Sequence, residues 1–478
     1  MIPPPIPAVV DPVVAEFIDT AVVTVAAEHD TPLHVVFPEV FQRNLDAIRT
    51  VLDTRELSHR ICYAHKVNRS HAFVVTAERA GIDIDIASTG ELDNALAAGF
   101  TADRIEATGP KGDRFLRRLV TAGVTINIDN MWELERIGQL ADDPVPVLLR
   151  VGEIAGTATS RFGIAPTAIP QALSALESFG NRVMLRGFSF HLDTADSRDR
   201  LRAVAACLPL LEDAWARGLE PSVLDIGGGL RQVFTADAAC FDNYTLALRD
   251  SLRGRGERLA WANATFGYHV DGDTVRGTPV FHKYANTVAP ATALTELLDA
   301  AVPGHRRSLA ALLCDNMLEL WLEPGKALAD QAGITVASVE FTKELSDGTI
   351  LVNLDISRDT VTPADQEVLL DPQLIPVGTP PPAPEPVSVF LAGRLCLERD
   401  MISNRVVRLP FRPRPGDLLI FTNTAGYHSD LSAATAAAHP PAPKFAATRG
   451  SSGFVIVPDA DYRVVQEELC DRTTASPN

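Results

Sequence analysis

The chain places a lysine at the end of a stretch that otherwise predicts a buried strand. Residues 61–70 read ICYAHKVNRS, in which an apolar and aromatic run meets Lys66. An ionised lysine is almost never fully buried unless it is paired. Lys66 is therefore either an ordinary charge at a strand end or an amine meant to react with an aldehyde, since desolvation lowers the pKa of an amine and makes it nucleophilic.

Three further motifs offer chemistry that would complement an amine. The glycines Gly227–Gly229 follow the apolar stretch SVLDI, and they either let backbone N–H groups converge on an anion or simply form a tight strand-to-helix turn. Glu323 in WLEPGKAL either faces a protonated ring nitrogen or pairs with Lys326. His191 in FSFHLDT either stacks on a planar ring or is structural.

All four motifs end predicted strands, and together they supply an amine, an anion cradle, a carboxylate for a ring nitrogen and a stacking face. That combination is typical of a site for pyridoxal 5′-phosphate (PLP), a phosphorylated pyridine aldehyde. The late position of the glycines also agrees with where parallel barrels bind phosphate. The sequence therefore predicts PLP as the cofactor and no metal.

The elements that must position these residues form an alternating pattern between residues 34 and 337. Eight short, nearly continuous apolar stretches alternate with helical segments, namely ICYAHKV, IDIDIAS, IEATGP, TINIDN, PVLLRVG, LRGFSFHLD, SVLDIGGG and LELWLEPG. Strands buried on both faces have this composition, and alternation with helices favours a parallel sheet. Thr89 with Glu91 and Asn130 with Glu133 mark helix starts. We predict a (β/α)8 barrel with its reactive groups at the carboxyl ends of the strands.

A second, mostly β domain is predicted for residues 338–478 together with the N-terminal segment 1–33. Strand-like runs such as GTILVNLDIS and GDLLIFTNTAGY are separated by Pro and Gly turns. Two Pro/Ala-rich stretches, LIPVGTPPPAPEPV and SAATAAAHPPAPKFAATRGSSG, are predicted to be loops. Residues 253–285 fit no barrel period and are interpreted as an insertion over the barrel mouth.

Composition excludes several classes of protein. The formal net charge of −18 argues against nucleic acid and anionic membranes as partners. Six scattered cysteines without a CxxC pair predict neither a zinc site nor a disulfide framework, which favours a reducing cytoplasm. The N-terminal stretch MIPPPIPAVVDPVV lacks the basic and apolar regions of a signal peptide, and no apolar run reaches transmembrane length.

The sequence resembles the fold-type III PLP-dependent decarboxylases, the alanine racemase-like group that includes diaminopimelate, ornithine and arginine decarboxylases. The similarity follows the family's motif order over most of the chain. YAHKVN resembles YAxKAN, DIASTGEL resembles DxxSxGE, SRFGI resembles SKFG, FHLDT resembles HVGS, and EPGK resembles EPGR. DIGGGL matches the GGG phosphate loop, GRLCLERD resembles GPxCxxxD, and TAGY resembles GAY.

The resemblance implies a set of site residues and a homodimer whose active sites are shared between subunits. Lys66, His191, Glu323 and Cys396 would be catalytic, with Cys396 reaching the partner's site as the proton donor. The implied cofactor-binding residues are Lys66, Asp85, Ser88, His191, Gly227, Gly228, Gly229, Glu323, Gly325, Lys326 and Tyr427.

Departures from the family concentrate in the substrate half of the site. Lys326 replaces an arginine, so a forked phosphate contact becomes a point charge. Leu397 follows Cys396 where members that produce diamines often carry an acid. The RPxxY motif that holds the substrate carboxylate in diaminopimelate decarboxylase has no clear counterpart in DISRDTVTPADQEV. A derivatised amino acid of specialised metabolism, such as a siderophore precursor, is therefore expected as the substrate.

Decarboxylation of an amino acid is the leading hypothesis for the function. An amino-acid racemase or epimerase is the alternative, although alanine-racemase-like chains lack the GGG, EPG and Cys motifs. A non-catalytic PLP-binding protein is a third class, and the small PLP carriers of this fold lack the β domain. Retention of both Lys66 and Cys396 argues against an inactive protein.

Overall fold

The computed structural model describes residues 4–157, 160–194, 196–262, 264–280, 282–361, 370–378, 384–430 and 435–463. Its strands are β1 (Leu33–Val36), β2 (His59–Ala64), β3 (Asp83–Ile86), β4 (Ile105–Ala107), β5 (Thr125–Ile128), β6 (Val145–Arg150), β7 (Val183–Ser189), β8 (Val223–Asp225), β9 (Tyr268–Asp271), β10 (Thr274–Gly277), β11 (Glu319–Leu322), β12 (Gly333–Glu344), β13 (Ile350–Leu354), β14 (Gln373–Ile375), β15 (Val387–Ala392), β16 (Val407–Leu409), β17 (Leu418–Thr422), β18 (Lys444–Gly450) and β19 (Gly453–Pro458).

The α-helices of these residues are α1 (Pro12–Thr20), α2 (Val22–His29), α3 (Pro38–Asp53), α4 (His71–Arg79), α5 (Thr89–Ala98), α6 (Asp113–Ala122), α7 (Met131–Leu140), α8 (Ile169–Phe179), α9 (Ser197–Ala216), α10 (Ala239–Leu252), α11 (Pro290–Asp299), α12 (Leu309–Asp315), α13 (Gly325–Leu328) and α14 (Arg358–Val361). Among the residues described, none of these helices combines the length and apolarity needed to cross a membrane.

Eight parallel strands close into a barrel in the order β11-β2-β3-β4-β5-β6-β7-β8. These strands are the eight predicted from the sequence, and the predicted fold class is confirmed. Most of their residues are buried, because side chains on one face fill the barrel and those on the other pack against the surrounding helices. The carboxyl ends of all eight strands meet at one mouth, as they must in a closed parallel barrel.

Capping residues define where the barrel helices begin. α5 starts at Thr89 as predicted, but Ser88 is its N-cap, with a hydroxyl that accepts a hydrogen bond from the Glu91 N–H. The Glu91 carboxylate reaches back to the Ala87 N–H at 2.6 Å, which completes a capping box. In α7 the Asn130 side chain accepts from the Glu133 N–H, as the sequence predicts.

The second domain is built on a nine-stranded sheet with the path β16-β15-β13-β12-β1-β18-β19. Of the two remaining strands, β17 pairs with β12, and β14 pairs with β17. β1 pairs with β12 and β18, so the strand that precedes the barrel helices belongs to this sheet. The boundaries proposed from the sequence, residues 34 and 337, therefore fall inside β1 and β12. The chain leaves the sheet through β1, makes the barrel, and returns through β12.

Two segments interpreted as loops contain strands, which corrects the sequence analysis. Residues 444–450 of the second Pro/Ala-rich stretch form β18, because the prolines end at Pro443 and the small side chains that follow are buried against the sheet. In the first stretch, Leu374 and Ile375 belong to β14. Residues 379–383 and 432–434 of these stretches lie outside the described residues.

The predicted insertion, residues 253–285, contains the hairpin β9–β10 and packs against the β domain. Trp261 stacks edge-on against Phe390 of β15, with ring centroids 5.3 Å apart. At its far end Tyr284 packs on Phe234 and its hydroxyl lies 3.3 Å from the His428 ring. The insertion thus borders the barrel mouth through Tyr284, which lines a cavity together with Asp193 and Lys326.

A glycine in the barrel wall provides a test of this architecture. Gly187 lies where an extra residue in β7 shifts its register against β6, and a Cβ at this position would lie 1.9 Å from the Val223 carbonyl oxygen. We expect Gly187→Ala to lower the free energy of unfolding by about 2 kcal/mol or more, because backbone atoms cannot yield. Denaturant unfolding measures the change.

Gly90→Ala is the matched control, since its Cβ would meet only Ser88 Oγ at 3.9 Å on helix α5. Alanine is a better helix former than glycine, so this variant should be neutral or slightly stabilised. Equal losses in both variants would contradict the described packing at Gly187.

Candidate active site

The barrel mouth brings together an amine and two buried carboxylates from separate strands. Lys66 lies in the single 3-10 turn, His65–Val67, that follows β2. Its Nζ donates a hydrogen bond to Asp85 Oδ2 on β3 at 3.1 Å. Glu323, directly after β11, is 4% exposed. The amine therefore has a carboxylate partner, which resolves how a lysine can end a buried strand.

Burial and charge act in opposite directions on this cluster. Burial by itself lowers the pKa of the Lys66 amine, but the Asp85 and Glu323 carboxylates outweigh it and raise the pKa well above its ordinary value. Burial by itself raises the pKa of Glu323, but the nearby His191 imidazole and the charge of Lys66 bring it to about 2. Glu323 is thus an ionised carboxylate in a buried position.

His191 connects Glu323 to the glycine loop. Its Nδ1 lies 3.7 Å from Glu323 Oε2 and 3.3 Å from the Gly228 nitrogen. The imidazole follows β7, and the loop follows β8, so two neighbouring strand ends deliver these groups to one place. The structure thereby joins His191, Glu323 and the glycines as the sequence predicts.

The glycines allow backbone approaches that a side chain would block. A Cβ at Gly228 would lie 2.3 Å from the Glu323 carbonyl oxygen, and one at Gly229 would lie 2.3 Å from the Leu192 carbonyl oxygen. Gly229 also has a φ of +84°, in the left-handed region that glycine adopts without strain. The loop is therefore pressed against two strand ends; Gly227 and Gly228 are buried, and Gly229 is partly exposed.

Two predicted phosphate contacts lie near this loop, and one of them is engaged. Lys326, in the first turn of α13, forms an ion pair with Asp193 at 2.8 Å. Tyr427 comes from the β domain, and its backbone N–H donates to the Val67 carbonyl at 2.9 Å. This contact places Tyr427 of the β domain against Val67, the residue that follows Lys66 in the chain. Gly325 lets the start of α13 pack against the turn that carries Lys66, since a Cβ there would lie 2.3 Å from Val67 Cγ2.

Beneath this surface lie two carboxyl groups that the sequence analysis did not assign. Oxygens of Glu106, Asp225 and Glu323 lie within 4.8 Å of one another, and all three residues are buried. Asn127 donates to Glu106 Oε1 at 3.0 Å, and the Gly227 N–H donates to Asp225 Oδ1 at 2.7 Å. In the sequence, the signal for this cluster was an acidic residue, Glu106, inside the predicted buried strand IEATGP. Burial raises the pKa of Glu106 and of Asp225 well above ordinary carboxyl values.

Two predicted site residues occupy other positions. The Ser88 hydroxyl serves as the α5 cap described above. Cys396 is exposed in the loop after β15, where its neighbours Leu395, Leu397 and Glu398 line a cavity of about 670 Å³. Arg358 and Trp261 line the same cavity. Residues 362–368 of the segment compared with RPxxY lie outside the described residues.

The residues present fit PLP. An amine for the aldehyde, an anionic carboxylate for the ring nitrogen and an imidazole between that carboxylate and a glycine loop occupy one barrel mouth. The glycine loop leaves no room for side chains, which is the backbone form that anion-binding loops use. Lys326 adds a cation at the same end.

Comparisons with known proteins agree with this site. Residues 39–258 match the family model described as the pyridoxal binding domain of pyridoxal-dependent decarboxylases. The chain is 34% identical over 441 residues to uncharacterized protein y4yA of Sinorhizobium fredii, covering 91% of this chain and 92% of that one. It is 25% identical to diaminopimelate decarboxylase of Vibrio cholerae, over 85% of each chain. In fold it is similar to the arginine decarboxylase of Paramecium bursaria Chlorella virus, with a TM-score of 0.67, 19% identity and coverage of 90% and 100%.

The barrel, the β domain and these similarities define the class: a fold-type III PLP-dependent enzyme. Within it, the chain belongs to the PLP-dependent decarboxylase family that includes the diaminopimelate decarboxylases, as a divergent member. PLP is its cofactor, and it is an enzyme of the carboxy-lyase class.

The buried carboxyl group of Glu106 leads to a pH-dependent prediction. Its folded-state pKa is raised, so above the unfolded value of about 4.3 the folded state keeps a proton that the unfolded state releases. Wild-type stability should therefore fall as pH rises from about 4.3. Glu106→Gln keeps the acceptor for Asn127 and removes this titration, so the variant should gain stability relative to wild type with rising pH.

Urea unfolding at several pH values between 4 and 9 measures this difference. Glu135→Gln, at an exposed position on α7, is the control and should show no such divergence. A Glu106→Gln variant that loses stability relative to wild type as pH rises would show that Glu106 is ionised in the folded protein.

Proposed function

We propose that this protein releases the carboxylate of an amino acid as CO2, using PLP held by Lys66. The observation that carries the proposal is the arrangement of the Lys66 amine and the buried, ionised carboxylate of Glu323 across one barrel mouth, with Asp85 beside the amine. An amine can hold the cofactor aldehyde, and an anionic carboxylate can keep the ring nitrogen protonated.

The remaining residues bind and orient. His191, within reach of both Glu323 and the glycine loop, would support one face of the ring. The backbone of Gly227–Gly229, with Lys326 and Tyr427, would hold the phosphate. When bound, PLP supplies an electron-withdrawing ring that takes up the electron pair left by departing CO2. Asp85 holds the amine in place through its 3.1 Å hydrogen bond.

The substrate that we propose is a derivatised amino acid of specialised metabolism, for example a siderophore precursor, rather than one ending in a free ammonium. Leu397 is 49% exposed beside Cys396, which gives an apolar surface in place of an acid. The adjacent cavity of about 670 Å³ has room for a large distal group. Its wall carries charges of both signs, which would favour a polar group: Arg358, Arg399, Asp359, Glu398 and Asp400.

We further propose a cytoplasmic homodimer in which Cys396 serves the partner's Lys66 site. Cys396 is exposed in the β domain, whereas Lys66 and Glu323 lie in the barrel mouth. A second copy that covered both regions would exclude water from the mouth, which favours chemistry through a carbanion. The cytoplasm is proposed because the scattered cysteines suit a reducing compartment.

The reaction can be tested with pools of amino acids and their acylated or hydroxylated derivatives. We expect the wild-type enzyme to release CO2 and to form a product whose mass is that of the substrate less one CO2. Lys66→Ala should show neither change. Borohydride reduction of the wild-type enzyme should attach the cofactor to the peptide that contains Lys66. Exchange of the Cα proton with solvent deuterium without CO2 release would instead indicate a racemase, and a label on another lysine would contradict the assignment of Lys66.

Shared sites can be tested by mixing variants. Lys66→Ala and Cys396→Ala should each be weakly active, while statistical exchange of subunits creates dimers with one site in which both residues are intact. Activity should then return toward about a quarter of wild type. Mass spectrometry of intact dimers verifies the exchange. Exchanged dimers without recovery would mean that Cys396 acts within its own chain or has no part in the reaction.

A further inference from the structure

A buried arginine lies directly behind the glycine loop. Arg200, in the first turn of α9, is 4% exposed. Among the described residues no carboxylate forms a salt bridge with it; its hydrogen bonds go to backbone carbonyls. Burial lowers the pKa of Arg200 to about 10, so the guanidinium is still charged at neutral pH. Asp193 and Asp225 act on this charge through space, but neither forms a salt bridge with it. A buried charge without a hydrogen-bonded counter-ion is costly, and this cost favours a further anion nearby.

The hydrogen bonds of Arg200 join the two loops that carry the predicted cofactor contacts. Nη1 donates to the Ile226 carbonyl at 2.7 Å, directly before the glycines. Nη2 donates to the Leu192 carbonyl at 3.2 Å, directly after His191. A Cβ on Gly229 would lie only 2.9 Å from Nη2, so the guanidinium packs against the backbone of the loop itself.

The charges around the loop show why a second cation is needed there. Lys326 is paired with Asp193 at 2.8 Å, and this carboxylate offsets the lysine charge. A phosphate group brings close to two negative charges at neutral pH. Arg200 is a buried cation next to the loop, and within the described part of the chain its guanidinium donates to backbone carbonyls and forms no salt bridge, although Asp193 and Asp225 act on it through space.

We propose that Arg200 is a positioning residue for the cofactor phosphate, whose charge, acting through the glycine loop, holds the phosphate in this mouth. The proposal rests on PLP as the cofactor and is independent of which substrate is decarboxylated. The competing explanation is that Arg200 only ties two loops together. A neutral side chain that donates hydrogen bonds could do that equally well, so charge is the property that separates the two explanations.

The test compares two ligands on the full-length protein freed of cofactor. PLP and pyridoxal share the aldehyde and the ring, but pyridoxal lacks the phosphate. Affinities for both are measured from the visible absorbance of the bound ligand in wild type, Arg200→Gln and Arg200→Lys. Arg198→Gln on the same helix is the control, because Arg198 is exposed and its salt bridge, as far as the structure describes the chain, is with Asp196.

We expect Arg200→Gln to weaken PLP binding about tenfold or more, while pyridoxal binding changes less than about threefold. Arg200→Lys, which keeps the charge, should recover most of the PLP affinity, and Arg198→Gln should match wild type for both ligands. Equal losses for PLP and pyridoxal in Arg200→Gln would overturn the proposal in favour of loop tying. Unchanged PLP binding would overturn it as well. If Arg200→Gln does not fold, Arg200→Lys decides: PLP affinity close to that of wild type supports a role for the charge, and PLP affinity about tenfold or more below wild type contradicts it.

Discussion

The pairing of Lys66 with Asp85 and Glu323 is the interaction on which the rest of the site depends. An amine at the end of a buried strand is tolerated because Asp85 accepts its hydrogen bond at 3.1 Å and a second carboxylate lies nearby. The same pairing keeps Glu323 ionised, together with His191. Removing water from charged groups is costly, so each member of this cluster requires the others. A closed parallel barrel satisfies this requirement, because neighbouring strands end at the same mouth.

The β domain completes the mouth and holds its loops. The Asn68 side chain donates to the Ala425 carbonyl at 2.9 Å, and the Tyr427 N–H donates to the Val67 carbonyl. The chain is therefore fastened to the second domain at the two residues that directly follow Lys66. Behind the glycine loop, Asn423 donates to Asp330 at 3.0 Å, and Asp330 accepts from the Val233 N–H. Domain packing and cofactor geometry are consequently coupled.

Cofactor and substrate regions differ in how far they depart from the family. The amine, the glycine loop and the ring-nitrogen carboxylate are retained, whereas the loop with Cys396 and Leu397 carries an apolar residue where relatives that form diamines often carry an acid. At the end of the mouth proposed for the phosphate, Lys326 is paired with Asp193, and Arg200 is buried behind the loop. In the function proposed above, such changes would leave the electron-withdrawing chemistry intact while ligand recognition changes.

The eight barrel strands and the identity of Lys66, His191 and Glu323 as neighbours could be predicted from the sequence, because buried parallel strands have continuous apolar runs and their ends converge whatever the details of packing. The same local logic failed for β18, whose Ala-rich residues resemble a loop and become a strand only when β1 and β19 pair with them. It also could not identify Glu106 as a neighbour of Asp225 and Glu323, because three strands distant in the chain meet only after the barrel closes. Chain-local patterns determined the elements and their chemistry; tertiary structure decided which charges share a buried volume, since desolvation and Coulomb energies depend on distances in space.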